Sequence, residues 1–194
     1  MRAKPDAMRK TLLILTPFLL ILAVCACKKS NNNSNTSQGL VGTWNFLGMK
    51  VQTKTVAVAG QVTTVALSNF NTTNNLGAIT FTKDSMSASG IGYTVDTSFM
   101  AYFYYGGQVY DSSLQTLNYT IQPTSASSKY SLIGTDSIYF PNGGILTALD
   151  SAATGQGCQF VLHGDSLTLT ANGIDTSGGA QTNLQAVINL KRQK

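Results

Sequence analysis

Apolar and polar residues alternate around short glycine-containing turns through much of this chain, and the pattern is clearest in residues 157–171. Here Gly157-Cys-Gln-Phe-Val-Leu-His163 is followed by Gly164-Asp165 and Ser166-Leu-Thr-Leu-Thr-Ala171. Glycine at the first of two loop positions suits a hairpin turn that needs a positive φ. The hairpin would then have one apolar face and one largely polar face, as in an antiparallel sheet that covers a core. The predicted pairs are Cys158 with Ala171, Phe160 with Leu169, Leu162 with Leu167, Gln159 with Thr170, Val161 with Thr168, and His163 with Ser166.

Two further hairpins have the same construction. In the first, Lys83-Asp84 joins residues 77–82 to 85–88, and in the second, residues 134–136 join 130–133 to 137–140. An Asp-Ser pair begins each outgoing strand, and we interpret these aspartates as turn residues that accept backbone hydrogen bonds rather than as catalytic carboxylates. The predicted pairs are Phe81 with Met86, Ile79 with Ala88, Leu132 with Ile138, and Tyr130 with Phe140.

The sequence after residue 39 predicts an all-β fold. No helical periodicity is sustained there, and further strands are predicted near 41–52, 62–68, 99–105, 114–122 and 184–190. The expected architecture is an antiparallel up-and-down meander of eight to ten strands. Closure into a barrel would protect its edges. A two-sheet β-sandwich would use the same pattern and is the alternative.

The N-terminal residues have the order of features of a secretory signal peptide. Basic residues come first, at Arg2, Lys4, Arg9 and Lys10. An uninterrupted apolar run follows at 11–24, and small residues and cysteine come after it. Because a membrane-spanning helix needs ~20 apolar residues, this run is short for a retained helix, which is the alternative. We therefore predict a cleaved signal over 1–26, starting at Met1 or Met8.

The end of this signal resembles the lipobox of bacterial lipoproteins. In Val24-Cys25-Ala26-Cys27, an aliphatic residue lies three positions before Cys27 and a small residue lies just before it. The resemblance implies that Cys27 becomes the new N-terminus and carries a diacylglyceryl group, which with a further acyl chain gives permanent anchoring. Cys25 fits this pattern less well. Cys158 would then be the one remaining thiol, so no internal disulfide is expected.

A polar segment separates the predicted anchor from the folded part. Residues 28–38 contain no apolar side chain to bury, so we expect 27–38 to form the lipidated cysteine and a disordered tether, and 39–194 to form the β-domain. Cleavage would remove four of the 13 basic and one of the eight acidic residues, which lowers the net charge from +5 to about +2. No basic run remains beyond Lys28-Lys29, so nucleic acid is not an expected partner.

The start of the domain resembles that of lipocalins and of bacterial lipocalin-like lipoproteins. The resemblance is carried by Leu40-Val-Gly42-Thr43-Trp44, a Gly-x-Trp motif at the start of a first strand. The hairpin residues at 79–84 and 164–170 are also similar to those of such lipoproteins.

This resemblance implies a structural role for three residues. In lipocalins the motif tryptophan, here Trp44 after Gly42, closes the barrel floor under an arginine from the last strand. Arg192 is the expected partner, by a cation–π contact of ~0.5–2 kcal/mol, and Lys191 is the other candidate. A frayed basic tail beside a plain core tryptophan is the alternative.

Catalytic and metal-binding residue sets are sparse in this sequence. His163 is the single histidine and lies beside a predicted turn, so it is expected to be exposed. One histidine and the Cys158 thiol do not supply the three or four ligands of a zinc site, and the dispersed aspartates lack calcium-loop spacing. We expect no enzyme activity, no cofactor and no metal, with Cys158 buried and inert.

The strand predicted at 99–105 is apolar or aromatic on both faces. Alternation places Tyr102 and Tyr104 on one side and Phe99, Phe103 and Tyr105 on the other. A central strand packed on both faces would explain this, but tyrosines also suit ligand pockets and protein interfaces. These five residues are therefore the candidate ligand contacts.

Together these patterns favour a membrane-anchored envelope lipoprotein that binds a small apolar or amphipathic ligand. The alternative is a non-enzymatic interaction or inhibitor protein with an aromatic surface, and a carbohydrate contact is a third hypothesis. No acidic residue occurs in Lys28-Lys29-Ser30-Asn31. The expected location is therefore the periplasmic face of the outer membrane, with the cell surface as the alternative, and the expected state is a monomer.

Overall fold

The computed structural model describes residues 39–142, 156–176 and 179–194. The predicted signal, the lipidation site at Cys27 and the tether lie outside the described residues. The described chain is nearly all β and antiparallel, as predicted. Its strands are β1 (Gly42–Ala59), β2 (Val62–Asn71), β3 (Thr73–Phe81), β4 (Ser85–Tyr105), β5 (Gln108–Lys129), β6 (Ser131–Ile133), β7 (Ser137–Phe140), β8 (Gln156–His163), β9 (Ser166–Asp175) and β10 (Ala180–Arg192).

The predicted hairpins have the expected registers. All six predicted pairs between β8 and β9 are present, and Gly164 has a φ of 57° in the turn. The predicted pairs of β3 with β4 are also present, as is the pair of Leu132 with Ile138. Tyr130 lies just outside the ladder, but its ring centre is 6.1 Å from that of Phe140. Short turns and period-two alternation were therefore sufficient to predict local pairing.

All ten strands belong to one hydrogen-bonded sheet, so the two separate sheets of a sandwich are not observed. β2 and β3 lie in line along β1, and β4 pairs with both of them. β5 pairs with β4, β6 pairs with β7, and the order continues through β8, β9 and β10 to β1. The last strand thus pairs with the first.

A small polar cluster lies where β2 passes into β3, beside a bulge in β1 between Phe46 and Gly48. Thr72 is buried there, and its Oγ1 accepts a hydrogen bond of 2.8 Å from the Met49 amide. Asn75 Nδ2 donates to the Leu47 carbonyl at 2.9 Å. Gly48, with a φ of 141°, leaves the space that Asn75 occupies. Bulges of this kind increase strand twist and coiling.

The hydrophobic core covers one face of the sheet at one end of the long strands. We call this the Trp44 end, and the opposite end, where β4 turns into β5, the Tyr105 end. Core side chains alternate with exposed ones along each strand that contributes to it, as the sequence pattern predicts. The core contains Leu40, Trp44, Phe46, Met49, Val51, Ile79, Phe81, Met86, Ala88, Ile91, Tyr93, Val95, Tyr130, Ile138, Phe140, Cys158, Phe160, Leu167, Leu169, Ala171, Ala186, Ile188 and Leu190.

Candidate functional site

Trp44 seals the Trp44 end of the core. Its ring is fully buried, and its indole Nε1 donates a hydrogen bond of 3.0 Å to the Leu40 carbonyl. The Arg192 guanidinium carbon lies 4.1 Å from the Trp44 ring centre. Arg192 also donates to the carbonyls of Val41 and Gly39. One cation therefore covers the ring and holds the segment that precedes β1.

Arg192, rather than Lys191, occupies the position that the lipocalin resemblance predicted. Arg192 is opposite Trp44 in the ladder between β1 and β10, whereas exposed Lys191 is opposite exposed Asn45. Because neighbouring residues of a strand point to opposite faces, only one of these two cations can lie over the ring.

Beyond the core, towards the Tyr105 end, the same face of the sheet has a lining of small residues. On β1 the alternation that buries Val51 continues through Thr53 and Thr55. Thr53 Oγ1 lies 2.7 Å from Ser68 Oγ on β2, and Thr55 Oγ1 lies 2.9 Å from Thr182 Oγ1 on β10. These hydroxyl groups bond to one another, which leaves a weakly polar wall with little side-chain bulk.

A cavity of about 590 Å³ lies along this level of the sheet. Ligand pockets for small molecules have volumes of roughly 300–1,000 Å³. A methyl group added at Gly173, which lies on the core side of β9, would meet no atom within 4 Å. The lining residues are Gln52, Thr53, Lys54, Leu67, Ser68, Asn69, Asn172, Gly173, Ile174, Asn183, Leu184 and Gln185.

The five aromatic candidates do not converge on one site. The β2–β4 register places Phe103 opposite Thr64, with Phe99 and Tyr105 on the same face of β4. Tyr102 and Tyr104 lie on the other face, as alternation predicts. Tyr104 lines a separate cavity of about 290 Å³ with Gln61, Thr63, Val65, Gly106 and Gly107. None of the five candidates lines the cavity of about 590 Å³, and Phe99, Phe103 and Tyr105 share its core-side face only through their position on β4.

Tyr93 is a functional candidate that the sequence did not indicate. It lies on the core side of β4, it is 4% exposed, and its hydroxyl has no hydrogen-bond partner. The Phe46 ring packs edge-on against it at 6.3 Å between centres. Burial, and secondarily the charge of nearby Tyr119, raises the pKa of Tyr93 to about 12. The phenol thus stays protonated at neutral pH and retains an unused proton to donate.

Cys158 and His163 do not form a reactive pair of a nucleophile and a histidine base. Cys158 is a buried free thiol that lies opposite Ile138 on one side and Ala171 on the other. Burial raises the pKa of Cys158 to about 12, so the reactive thiolate is suppressed. His163 is exposed at the β8–β9 turn, as predicted.

The described ranges contain neither a metal-binding cluster nor a membrane-spanning helix. In residues 39–142, 156–176 and 179–194, no three histidine, cysteine, aspartate or glutamate side chains are grouped so that they could hold a metal ion. Within those ranges there is also no helix with the length and hydropathy needed to cross a membrane.

Comparison with known proteins yields no relative: no protein-family model, no curated protein and no solved structure matches this chain. The lipoprotein and lipocalin resemblances therefore stay predictions, carried by the motif residues.

Proposed function

We propose that this chain is a lipid-anchored envelope lipoprotein whose strands close into a lipocalin-like barrel that binds a small apolar or amphipathic ligand. The observation that carries this proposal is that the core ends partway along the strands. Beyond it, the same face continues as a small-residue wall. A cavity of about 590 Å³ at this level is lined by residues of both faces of the sheet, and Thr53, Ser68, Gly173 and Leu184 are its core-side members. A protein with no ligand would gain stability by filling that space with larger side chains.

The pattern of strand pairing supports barrel closure. β5 pairs with β4 as far as Lys129, Tyr130 follows, and Ser131 of β6 is opposite Tyr139 of β7. If β5 and β6 form one strand, as β2 and β3 do, then each of eight strands has two neighbours. Eight-stranded barrels leave an interior that side chains fill or that holds one small ligand. The single core, to which opposite parts of the sheet contribute, agrees with this arrangement.

The core-side members of the lining favour an apolar or amphipathic ligand over a charged one. Leu184 and Gly173 are opposite each other in the β9–β10 ladder at the cavity, and the hydroxyls of Thr53 and Ser68 bond to each other. Phe99 and Phe103 lie on the same face across β4. Burial of a ligand hydrocarbon contributes roughly 25 cal/mol per Å² of apolar surface.

The predicted tether joins the domain at its Trp44 end. The described chain begins at Gly39, whose carbonyl accepts a hydrogen bond from Arg192 at the Trp44 end. Residues 27–38 would span at most ~40 Å if fully extended. Residues 28–31 contain no acidic side chain, which favours the periplasmic face of the outer membrane.

Native mass spectrometry of the full chain, purified from its own host and extracted for lipids, tests the ligand-binding proposal. Gly173→Phe should remove a retained ligand, because a side chain there projects into open space on the core-side face. Val161→Phe is the matched control, since Val161 of β8 is exposed, points away from the core and does not line the cavity. Ligand retained by the wild type and the control, and lost from Gly173→Phe, would support the proposal. A wild-type chain with no retained small molecule would contradict it.

An exposed aromatic surface favours the second candidate, an interaction or inhibitor protein. Tyr102 of β4 and Leu114 of β5 are 37% and 65% exposed, and both lie on the outer face of the β4–β5 ladder, where Leu114 is opposite Met100 and Tyr102 is opposite Ser112. Exposed apolar groups on paired strands are frequent in protein interfaces. In that case Tyr102→Ser with Leu114→Ser would abolish partner capture, and Gly173→Phe would leave it unchanged.

A further inference from the structure

Two buried tyrosines in the same core differ in the hydrogen bonding of their hydroxyl groups. Tyr130 donates a hydrogen bond of 2.6 Å to the Thr82 carbonyl, and its ring packs edge-on against Phe81. Tyr93 is at least as deeply buried, and its hydroxyl has no partner. In the described residues, the one other buried side-chain polar atom without a partner is Asn75 Oδ1, whose own amide nitrogen is bonded.

An unpartnered buried hydroxyl is costly. Leaving a buried donor unpaired costs about 1–3 kcal/mol, which is why most buried polar atoms are paired with protein or with ordered water. A phenylalanine at position 93 would provide the same ring and the same contact with Phe46 without this cost. The hydroxyl is therefore the part of Tyr93 that packing does not explain.

The surroundings of the Tyr93 hydroxyl select the kind of group that could pair with it. Its ring neighbour Phe46 is apolar, and Tyr119 is close enough for its charge to affect the ionisation of Tyr93. Neither residue carries a positive charge that would offset a buried carboxylate. Tyr119 itself is 41% exposed, so this neighbourhood has an approach from solvent.

We propose that Tyr93 is the hydrogen-bond donor that anchors the ligand, by pairing with a neutral oxygen acceptor such as an ester, ketone or amide carbonyl. This inference rests on the proposed ligand-binding function and narrows it from any apolar molecule to an amphipathic one. Tyr93 shares the core-side face of β4 with Phe99 and Phe103. A carbonyl held at Tyr93 would thus place the hydrocarbon part of the ligand along the aromatic face that leads to the Tyr105 end.

Two soluble probes with the same ten-carbon chain separate the contribution of the hydrogen bond to Tyr93 from that of the hydrocarbon chain. Methyl decanoate offers a carbonyl acceptor, and decyltrimethylammonium offers none. Binding of each is measured by equilibrium dialysis of the full chain in lipid nanodiscs, as the excess over empty nanodiscs of the same lipid. The variants are Tyr93→Phe and, as the matched control, Tyr130→Phe, because each removes one hydroxyl from a buried tyrosine of the same core.

We expect Tyr93→Phe to weaken methyl decanoate binding about tenfold, which corresponds to one hydrogen bond, and to leave decyltrimethylammonium binding unchanged. Tyr130→Phe should alter neither affinity. Equal binding of methyl decanoate by wild type and Tyr93→Phe would overturn the anchoring role and leave the proposed ligand-binding function in place. Failure of both probes to bind the wild type would overturn both.

Thermal unfolding without probe gives a second, independent measurement. Tyr93→Phe should unfold at the same temperature as the wild type or higher, because it removes an unpaired hydroxyl. Tyr130→Phe should unfold at a lower temperature, because it removes a bonded one. A lower unfolding temperature for Tyr93→Phe would show that protein or trapped water already satisfies its hydroxyl, and this would overturn the inference.

Discussion

The Arg192 guanidinium carbon lies 4.1 Å from the centre of the Trp44 ring, which joins the end of the last strand to the start of the first. The same guanidinium donates to the carbonyls of Val41 and Gly39. Since Trp44 is fully buried beneath it, the contact both covers the core and fixes the point where the chain enters the sheet.

Arg192→Ala should destabilise the domain by about 1–2 kcal/mol, because it removes a cation–π contact and two hydrogen bonds to carbonyls. Trp44 is the only tryptophan, so its fluorescence during urea unfolding reports directly on this end of the core. Lys191→Ala is the control and should leave the unfolding midpoint unchanged. Equal midpoints for Arg192→Ala and the control would show that the stacked cation contributes nothing measurable.

Gly42→Ala should destabilise the domain through the same contact. Gly42 has a φ of 137°, and a methyl group there would lie 2.6 Å from Arg192 Nη1. Strain in this backbone region costs about 1–3 kcal/mol, and the guanidinium would have to move away from Trp44. Gly173→Ala, at an unstrained and open position, is the control and should be neutral or slightly stabilising.

The double variant of Gly42→Ala with Arg192→Ala distinguishes backbone strain at Gly42 from loss of the contact between Arg192 and Trp44. If Gly42→Ala acts partly by displacing the guanidinium, combining it with Arg192→Ala should cost less than the two single changes added together. Strict additivity in the urea-unfolding free energies would instead assign the whole effect to the backbone.

The stability of the domain should fall between about pH 9 and pH 12. Burial raises the pKa of Cys158 from 9.0 to about 12, so below pH 9 the thiol is neutral in both folded and unfolded chains. As the pH rises above 9, the unfolded thiol ionises first and favours unfolding. Cys158→Ala should therefore lose less stability than wild type between pH 8 and pH 10, measured by urea unfolding. Equal losses would mean that Cys158 ionises as readily in the folded chain.

Lipidation at Cys27 predicts a simple labelling pattern. Cells grown with an alkyne analogue of palmitate should label the wild type and Cys25→Ala and should not label Cys27→Ala. Mass spectrometry of the wild type should place the lipid on a new N-terminal cysteine. Label that persists in Cys27→Ala would contradict the anchor.

The predicted hairpins show which parts of this fold are encoded locally. Gly164, flanked by alternating residues, was enough to fix every pair of β8 with β9, because a two-residue turn leaves one register that places Phe160 and Leu169 on the same face. Strand length was underestimated: β4 and β5 extend for 21 and 22 residues. β5 contains Asp111, Asn118 and Pro123, and pairing with β4 overrides the low strand propensity of these residues.

The candidate site could be predicted only in part from the sequence. Alternation separated Phe103 from Tyr104 correctly, because it is a local property of the strand. The sequence contained no indication of a role for Tyr93. What makes Tyr93 a candidate is that its hydroxyl lacks a hydrogen-bond partner, and such partners come from other strands. The small-residue wall was missed for the same reason: Thr53, Ser68 and Thr182 are remote in sequence and meet only through pairing.

The sequence by itself determined the all-β class and the hairpin registers, because turn geometry and period-two burial act over a few residues, and the resemblance to lipocalins indicated Trp44 with Arg192 or Lys191 as its partner. Only the tertiary structure decided that β10 pairs with β1, that Arg192 rather than Lys191 covers Trp44, and that the core ends below the wall of Thr53 and Ser68. These features depend on contacts between strands that are far apart in the chain, and their free energy is gained only when the whole sheet has formed.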